Sequence, residues 1–144
     1  MGEGIQTAVA YAADGPDTLD AIYEARAAGF TYAREGHPNW QAVAAKIDWL
    51  EGAEGGVLTG SGMAAVGAVL LSVLKAGDHV VAGNQLYGRS LRLMREELPR
   101  MGVEVSLVDP TDGEAFAAAL RPETRLALVE VVANPTLRVA DMPA

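Results

Sequence analysis
The chain has 144 residues, enough for one compact domain with its own core and too few for two generous ones. Its 11 basic and 19 acidic residues give a formal charge of -8, which repels nucleic acid and anionic membrane over most of the surface, so any anionic ligand needs a local seat. The absence of cysteine excludes disulfides, thiolate nucleophiles and cysteine-based zinc sites, and the two isolated histidines, His37 and His79, form no metal-ligand pattern.

Residues 1–36 carry little hydrophobic periodicity. They contain the turn signal Asp14-Gly15-Pro16 and a short helix predicted over 18–28, and they read as an arm rather than a core. No basic segment followed by an apolar run opens the chain, so a cytoplasmic location is expected. From Asn39, placed to cap a helix after Pro38, the residues Trp40, Val43, Ile47 and Leu50 recur at helical spacing and predict one buried face. Val57 and Leu58 read as a short buried strand. Residues 63–74 then form a helix that is apolar almost all round, too short to span a bilayer and suited to packing between a sheet and another layer. Lys75-Ala76-Gly77-Asp78 ends it, and residues 79–82 read as the next strand. A helix over 88–100 turns Leu91, Met94 and Leu98 inward and pairs Arg92 with Glu96, and Gly102 stands where a helix end favours glycine. Val103, Val105 and Leu107 alternate as a strand, Thr111 and Glu114 offer a capping box for a helix running to Leu120, and the last strand is expected over 126–132.

Strands alternating with helices at these lengths predict an α/β fold with a mainly parallel sheet, whose ligands sit beyond the carboxyl ends of the strands. The segments 61–63, 84–88 and 133–136 fall there. In Thr59-Gly60-Ser61-Gly62-Met63, glycines leave backbone N–H groups at a helix start, where the macrodipole favours an anion; a plain strand-to-helix turn is the other reading. Tyr87 is placed either to cover the face of a flat ligand or to pack on its own helix. Arg34, with the Tyr32 hydroxyl nearby, suits either a phosphate or a surface ion pair. Asn134, before Pro135, offers an amide to a ligand oxygen or makes an ordinary turn. Glu130, a carboxylate inside an apolar run, either lines the site or is satisfied by the backbone. His37 and His79 read as structural or solvated.

The ordered set Tyr32-Ala33-Arg34, Leu50-Glu51-Gly52-Ala53, Gly60-Ser61-Gly62-Met63-Ala64-Ala65, Leu74-Lys75-Ala76-Gly77-Asp78-His79-Val80-Val81, Leu86-Tyr87-Gly88 and Asn134-Pro135-Thr136-Leu137 resembles one family. It is that of the pyridoxal-phosphate enzymes of cysteine and methionine metabolism, which includes cystathionine γ-synthase, cystathionine lyases, methionine γ-lyase and O-acetylhomoserine sulfhydrylase. The resemblance implies an N-terminal arm, residues 1–38, reaching into a neighbouring subunit, followed over 39–144 by part of a fold-type-I transferase domain. It implies pyridoxal 5'-phosphate as cofactor, with its phosphate at Ser61, Gly62 and Met63. Tyr32 and Arg34 would complete that seat from a partner chain, Tyr87 would stack on the pyridine ring as the catalytic-site aromatic, and Asn134 would lie beside the ring's 3-hydroxyl. The implied reactions are β- or γ-elimination or γ-replacement on sulfur-containing or O-acyl-homoserine-type amino acids, in a homo-oligomer. The family's cofactor lysine, its aspartate for the pyridine nitrogen and its substrate arginine lie in later segments. Lys46 and Lys75, the two lysines here, match neither place nor pattern. The expectation is the N-terminal portion of such an enzyme, with a remnant that binds the cofactor or phosphate, or a module pairing with an intact family member, as alternatives.

Overall fold
The chain forms two compact units, Met1–Thr59 and Gly60–Ala144, and the computed structural model describes residues 4–142. In the first unit, α1 (Pro16–Tyr23) and α2 (Pro38–Glu51) both begin on proline, whose missing N–H costs nothing at the first helical position. With Pro38 inside the helix, the cap moves from the expected Asn39 to His37, whose Nδ1 accepts the Asn39 N–H at 3.1 Å. Asn39 instead clamps the extended N-terminal segment. Its Oδ1 accepts the Gln6 N–H at 3.1 Å and its Nδ2 donates to the Gln6 carbonyl at 2.9 Å. An antiparallel bridge joins Ala10 to Tyr32, and Tyr11 packs against Phe30 and His37.

Three expectations for this unit are corrected. The helix expected over 18–28 ends at Tyr23, because Ala25 takes φ 55° and Arg26 and Ala27 fold back onto the Ala21 carbonyl. Trp40, Val43, Ile47 and Leu50 form the anticipated stripe on α2 but stay exposed, from 42% at Trp40 and Val43 to 67% at Leu50. Val57 and Leu58 are exposed and unpaired, so the expected buried strand does not form: an apolar pair becomes a strand only beside a partner.

Every buried apolar side chain among the described residues belongs to the second unit. Its sheet has β1 (His79–Gly83) in the middle, flanked in parallel by β2 (Glu104–Val108) and β3 (Thr124–Leu128) in the order β2-β1-β3. All five residues of β1 are buried, as a central parallel strand requires. Val80 and Ala82 face a core made with Leu70 of α3 (Gly62–Val73), Leu86, Met94, Leu98 and Val103. β3 begins two residues earlier than its apolar run suggested and ends at Leu128: Thr124 pairs with His79, and residues 131–140 instead fold back through a Val132–Val139 bridge.

The helix expected over 88–100 consists of α4 (Gly88–Arg92), a π-helical turn (Leu93–Glu97) and α5 (Leu98–Arg100). Pro99 accounts for the turn. A proline lacks the N–H for an ordinary helical bond and its ring crowds the carbonyl four residues before, so the preceding turn widens and the Leu98 N–H reaches the Leu93 carbonyl. Met94 and Leu98 nonetheless face inward, fully buried, and Arg92 meets Glu96 at 2.8 Å as expected. The capping box expected at Thr111 is replaced by Asp112, which caps α6 (Gly113–Ala118) by accepting the Ala115 N–H at 2.9 Å. Thr111 is held by the Asp109 carboxylate. Among the described residues no helix is long and apolar enough to cross a membrane.

At the amino end of the sheet His79 is 1% exposed, with Nδ1 2.7 Å from Thr124 Oγ1 and Nε2 2.9 Å from Ser106 Oγ. Burial, then the nearby Arg121 guanidinium, pushes its pKa below the ordinary 6.5, against the smaller pull of Glu104 and Glu123. The native state therefore resists a proton that the unfolded chain takes up. This histidine's contribution to stability is complete above pH 6.5 and declines as pH falls from there towards the depressed folded-state value. Urea unfolding followed across that window should show this decline, and it should flatten in His79→Asn; equal slopes in both proteins would refute the assignment. A second expectation concerns Gly102, which has φ 79° and would place a Cβ 3.0 Å from that of Ala76. Gly102→Ala should cost about 1–2 kcal/mol in chemical denaturation. Gly67→Ala, in helical backbone with nothing within 4 Å of the added Cβ, should instead raise stability by about 0.5–1 kcal/mol.

Candidate functional site
The parallel sheet delivers its loops to one end, and the second unit gathers there the segments singled out above. α3 opens on Ser61, whose extended backbone makes it the N-cap; its Oγ accepts the Ala64 N–H at 3.1 Å and its carbonyl accepts that of Ala65 at 3.0 Å. Those two bonds leave the Gly62 and Met63 N–H groups as the donors at the helix start. No atom lies within 4 Å of where a Cβ would stand on Gly60 or Gly62, so side-chain space at both glycines is open. The first turn carries no acidic residue.

The loop after β1 is fixed at both ends. Asn84 N–H donates to the Val108 carbonyl at 2.7 Å, Leu86 is buried, and Tyr87 becomes the N-cap of α4 with its side chain 47% exposed. Tyr87 N–H donates to Glu130 Oε1 at 2.7 Å, and Thr136 Oγ1 donates to Gln85 Oε1 at 2.7 Å. The two loops expected at the site, 84–88 and 133–136, are thus joined directly. Met63 is tied in through Ser90, whose hydroxyl donates to its Sδ at 3.6 Å. Met63 also borders a hollow of about 460 Å³ shared with Arg89, Arg92, Leu93 and Glu97. Asn134 is exposed at the start of a turn that is closed by the Leu137 N–H on the Ala133 carbonyl at 2.8 Å, and the Asn134–Pro135 bond is cis.

Glu130 is the residue whose role the sequence left open. Its carboxylate serves a backbone N–H from a distant loop, an arrangement flagged in the sequence only by an acid amid apolar neighbours. In the first unit, Tyr32 carbonyl accepts the Glu35 and Gly36 N–H groups, forming a turn that presents Tyr32 and Arg34. The Arg34 guanidinium lies 5.2 Å from the Tyr32 ring centroid and pairs with Glu35 at 3.3 Å, with 78% of its side chain exposed. Lys75 follows the far end of α3, about 18 Å along a 12-residue helix from the Gly62 amide. Lys46 is exposed on α2. No group of three or more metal-ligating side chains occurs among the described residues.

Residues 1–144 match the family described as Cys/Met metabolism PLP-dependent enzyme. The L-methionine gamma-lyase of Fusobacterium nucleatum is 43% identical over 117 residues, covering 81% of this chain and 30% of that protein. The cystathionine gamma-lyase of Bacillus subtilis is 37% identical over 114 residues, covering 79% and 30%. Among solved structures, metB from Corynebacterium glutamicum superposes with a TM-score of 0.86 at 34% identity, covering 97% of this chain and 34% of that one. A putative O-acetylhomoserine (thiol)-lyase from Campylobacter jejuni, solved with a pyridoxyl-lysine monophosphate, gives 0.86 at 26%, covering 96% and 34%. The chain therefore spans about 30% of the curated relatives it matches. With its parallel α/β sheet, its loop constellation and a match along its whole length, the chain belongs to the pyridoxal-phosphate-dependent enzymes of cysteine and methionine metabolism.

Proposed function
We propose that these residues are the N-terminal portion of an enzyme that performs β- or γ-elimination or γ-replacement on sulfur-containing or O-acyl-homoserine-type amino acids. The observation that carries this reading is the donor set at α3: two backbone N–H groups after a neutral serine cap, on a helix start tied through Met63 and Ser90 to the helix that follows the exposed Tyr87. That chemistry fits a phosphate ester attached to a flat ring. Gly62 and Met63 hold the phosphate through their amides, with the Ser61 hydroxyl beside them. Tyr87 presents its ring as the stacking face, and Asn134 offers its amide to the ring's 3-hydroxyl. Tyr32 and Arg34, on the arm of residues 1–38, complete the phosphate seat of a neighbouring subunit by a hydroxyl and a planar cation suited to paired oxygens. Bound pyridoxal 5'-phosphate supplies the electron sink for charge developing next to the substrate's amino group.

Neither lysine of this chain serves as the covalent anchor, given the distance of Lys75 from the seat; that lysine comes from residues outside these 144, on the same polypeptide or on a second one. The apolar surface left open on α3 by Val69, Leu71 and Val73 supports a larger assembly. A cytoplasmic homo-oligomer goes with this reading, and the choice between lyase, synthase and sulfhydrylase rests on residues elsewhere.

Borohydride reduction of the native protein followed by intact-mass analysis tests the reading. A pyridoxyl-phosphate adduct is expected on a lysine other than Lys46 and Lys75; an adduct on either of these would move the site away from α3. Arg34→Ala is expected to weaken cofactor binding by the assembled enzyme about 10- to 100-fold, the loss of a charge-assisted contact, while leaving the denaturation midpoint in place. Unchanged cofactor affinity in that variant would remove the arm from the phosphate seat.

A further inference from the structure
The backbone that carries Tyr87 is held by a side chain 43 residues away in sequence. Glu130 lies two residues past the end of β3, half-buried, and its Oε1 accepts the Tyr87 N–H at 2.7 Å. Among the described residues no side chain caps the first turn of α4. Ser61 caps α3 and Asp112 caps α6 with their own side chains, whereas the Tyr87 side chain makes no cap bond to the first turn of α4. The Glu130 carboxylate instead binds the N–H of the cap residue itself, beside the positive end of the helix. The Gln85–Thr136 bond closes the same two loops at a second point. Between the two bonds Leu86 is 4% exposed and anchors the loop inward, which leaves the Tyr87 side chain on the outside. The Glu130 carboxyl group, set among Val129, Val131 and Val132, thus has a hydrogen-bond partner in the Tyr87 N–H.

We infer that Glu130 is a positioning residue that fixes the backbone at Tyr87 and thereby the direction in which the tyrosine ring meets a pyridoxal-phosphate-type ring. Glu130 touches no ligand and acts only through Tyr87. The inference rests on the reading of α3 and Tyr87 as the cofactor seat.

The test is NMR of the 144-residue chain, combining amide hydrogen exchange with titration by pyridoxamine 5'-phosphate, which needs no lysine. Glu130→Ala should speed exchange at Tyr87 about tenfold or more, with Val80 and Val81 in β1 unchanged, and Glu130→Gln, which keeps an oxygen acceptor, should stay within about threefold of the parent. In the parent chain the ligand should shift the Gly62 and Met63 amides and move the Tyr87 ring protons upfield. In Glu130→Ala the amide response should persist and the ring response should fall by about half or more, with recovery in Glu130→Gln. Parent-like exchange in Glu130→Ala overturns the inference, and so does faster exchange with an undiminished ring response, since the bond would then be structural only. If Glu130→Ala does not fold, Glu130→Asp withdraws the carboxylate by one methylene and should give the same two changes; parent-like behaviour there is equally fatal. Silence of Gly62 and Met63 in the parent chain strikes the phosphate seat instead, and the exchange rates still decide whether Glu130 holds Tyr87.

Discussion
The complete burial of β1 is the constraint on which the second unit depends. A strand with no exposed residue needs partners on both edges and cover on both faces, because each unpaired N–H or carbonyl inside would cost about as much as a lost hydrogen bond. β2 and β3 satisfy the edges, while Leu70, Met94 and Leu98 cover the face to which Val80 and Ala82 point. On the opposite face the pleat directs His79 towards Ser106 and Thr124, two hydroxyls that the parallel register brings alongside it. Because all three strands run the same way, their loops collect at one end, and the candidate site lies there. The histidine's polar cluster occupies the other end of the sheet.

The sequence was most legible where burial enforces a period. Met94 and Leu98 face inward as their spacing implies, even though Pro99 widens the helix between them, because the hydrophobic requirement outlasts a local change of hydrogen bonding. Boundaries were less legible where two local rules compete. Asn39 is a good cap by type, but Pro38 prefers the first helical position and pushes the cap back to His37; Thr111 gives way to Asp112, whose carboxylate is the stronger acceptor for an N–H at a helix start. β3 was misplaced because an apolar run records burial and not pairing: its ladder begins at the polar Thr124 and stops before residues 129–132. Val57 and Leu58, and the stripe on α2, show the same limit from the other side, for apolar residues can be read from sequence while the surface that covers them cannot.

At the candidate site the helix start at Ser61 and the loop positions of Tyr87 and Asn134 were visible as turn and cap chemistry. The contact between Glu130 and Tyr87 was not, since nothing local in either segment encodes a partner 43 residues away. What the sequence did carry was the anomaly, a carboxylate among valines, and the structure resolves it as a hydrogen bond. The same holds for Gln85 and Thr136, two ordinary loop residues whose relation exists only once β1 and β3 lie side by side.

The helix starts of the second unit differ in a way that bears on ligand choice. In a chain of charge -8, acids are available for every helix N-terminus. α6 has Asp112 as its cap and Glu114 in its first turn, and α4 receives Glu130 through space. α3 has a neutral cap and no acid in its first turn; α4 shares both features but has the Glu130 carboxylate on the N–H of its cap residue. An internal carboxylate at α3 would have stabilised the helix by about 0.3–1 kcal/mol through the macrodipole, and the sequence forgoes it. Such an acid would also repel an arriving phosphate across a few ångströms, in a site too open for the repulsion to be offset by other bonds. Forgoing that small gain in helix stability is compatible with an anion seat, and it favours the proposal that α3, rather than α6 or the Glu130-bound start of α4, holds a phosphate.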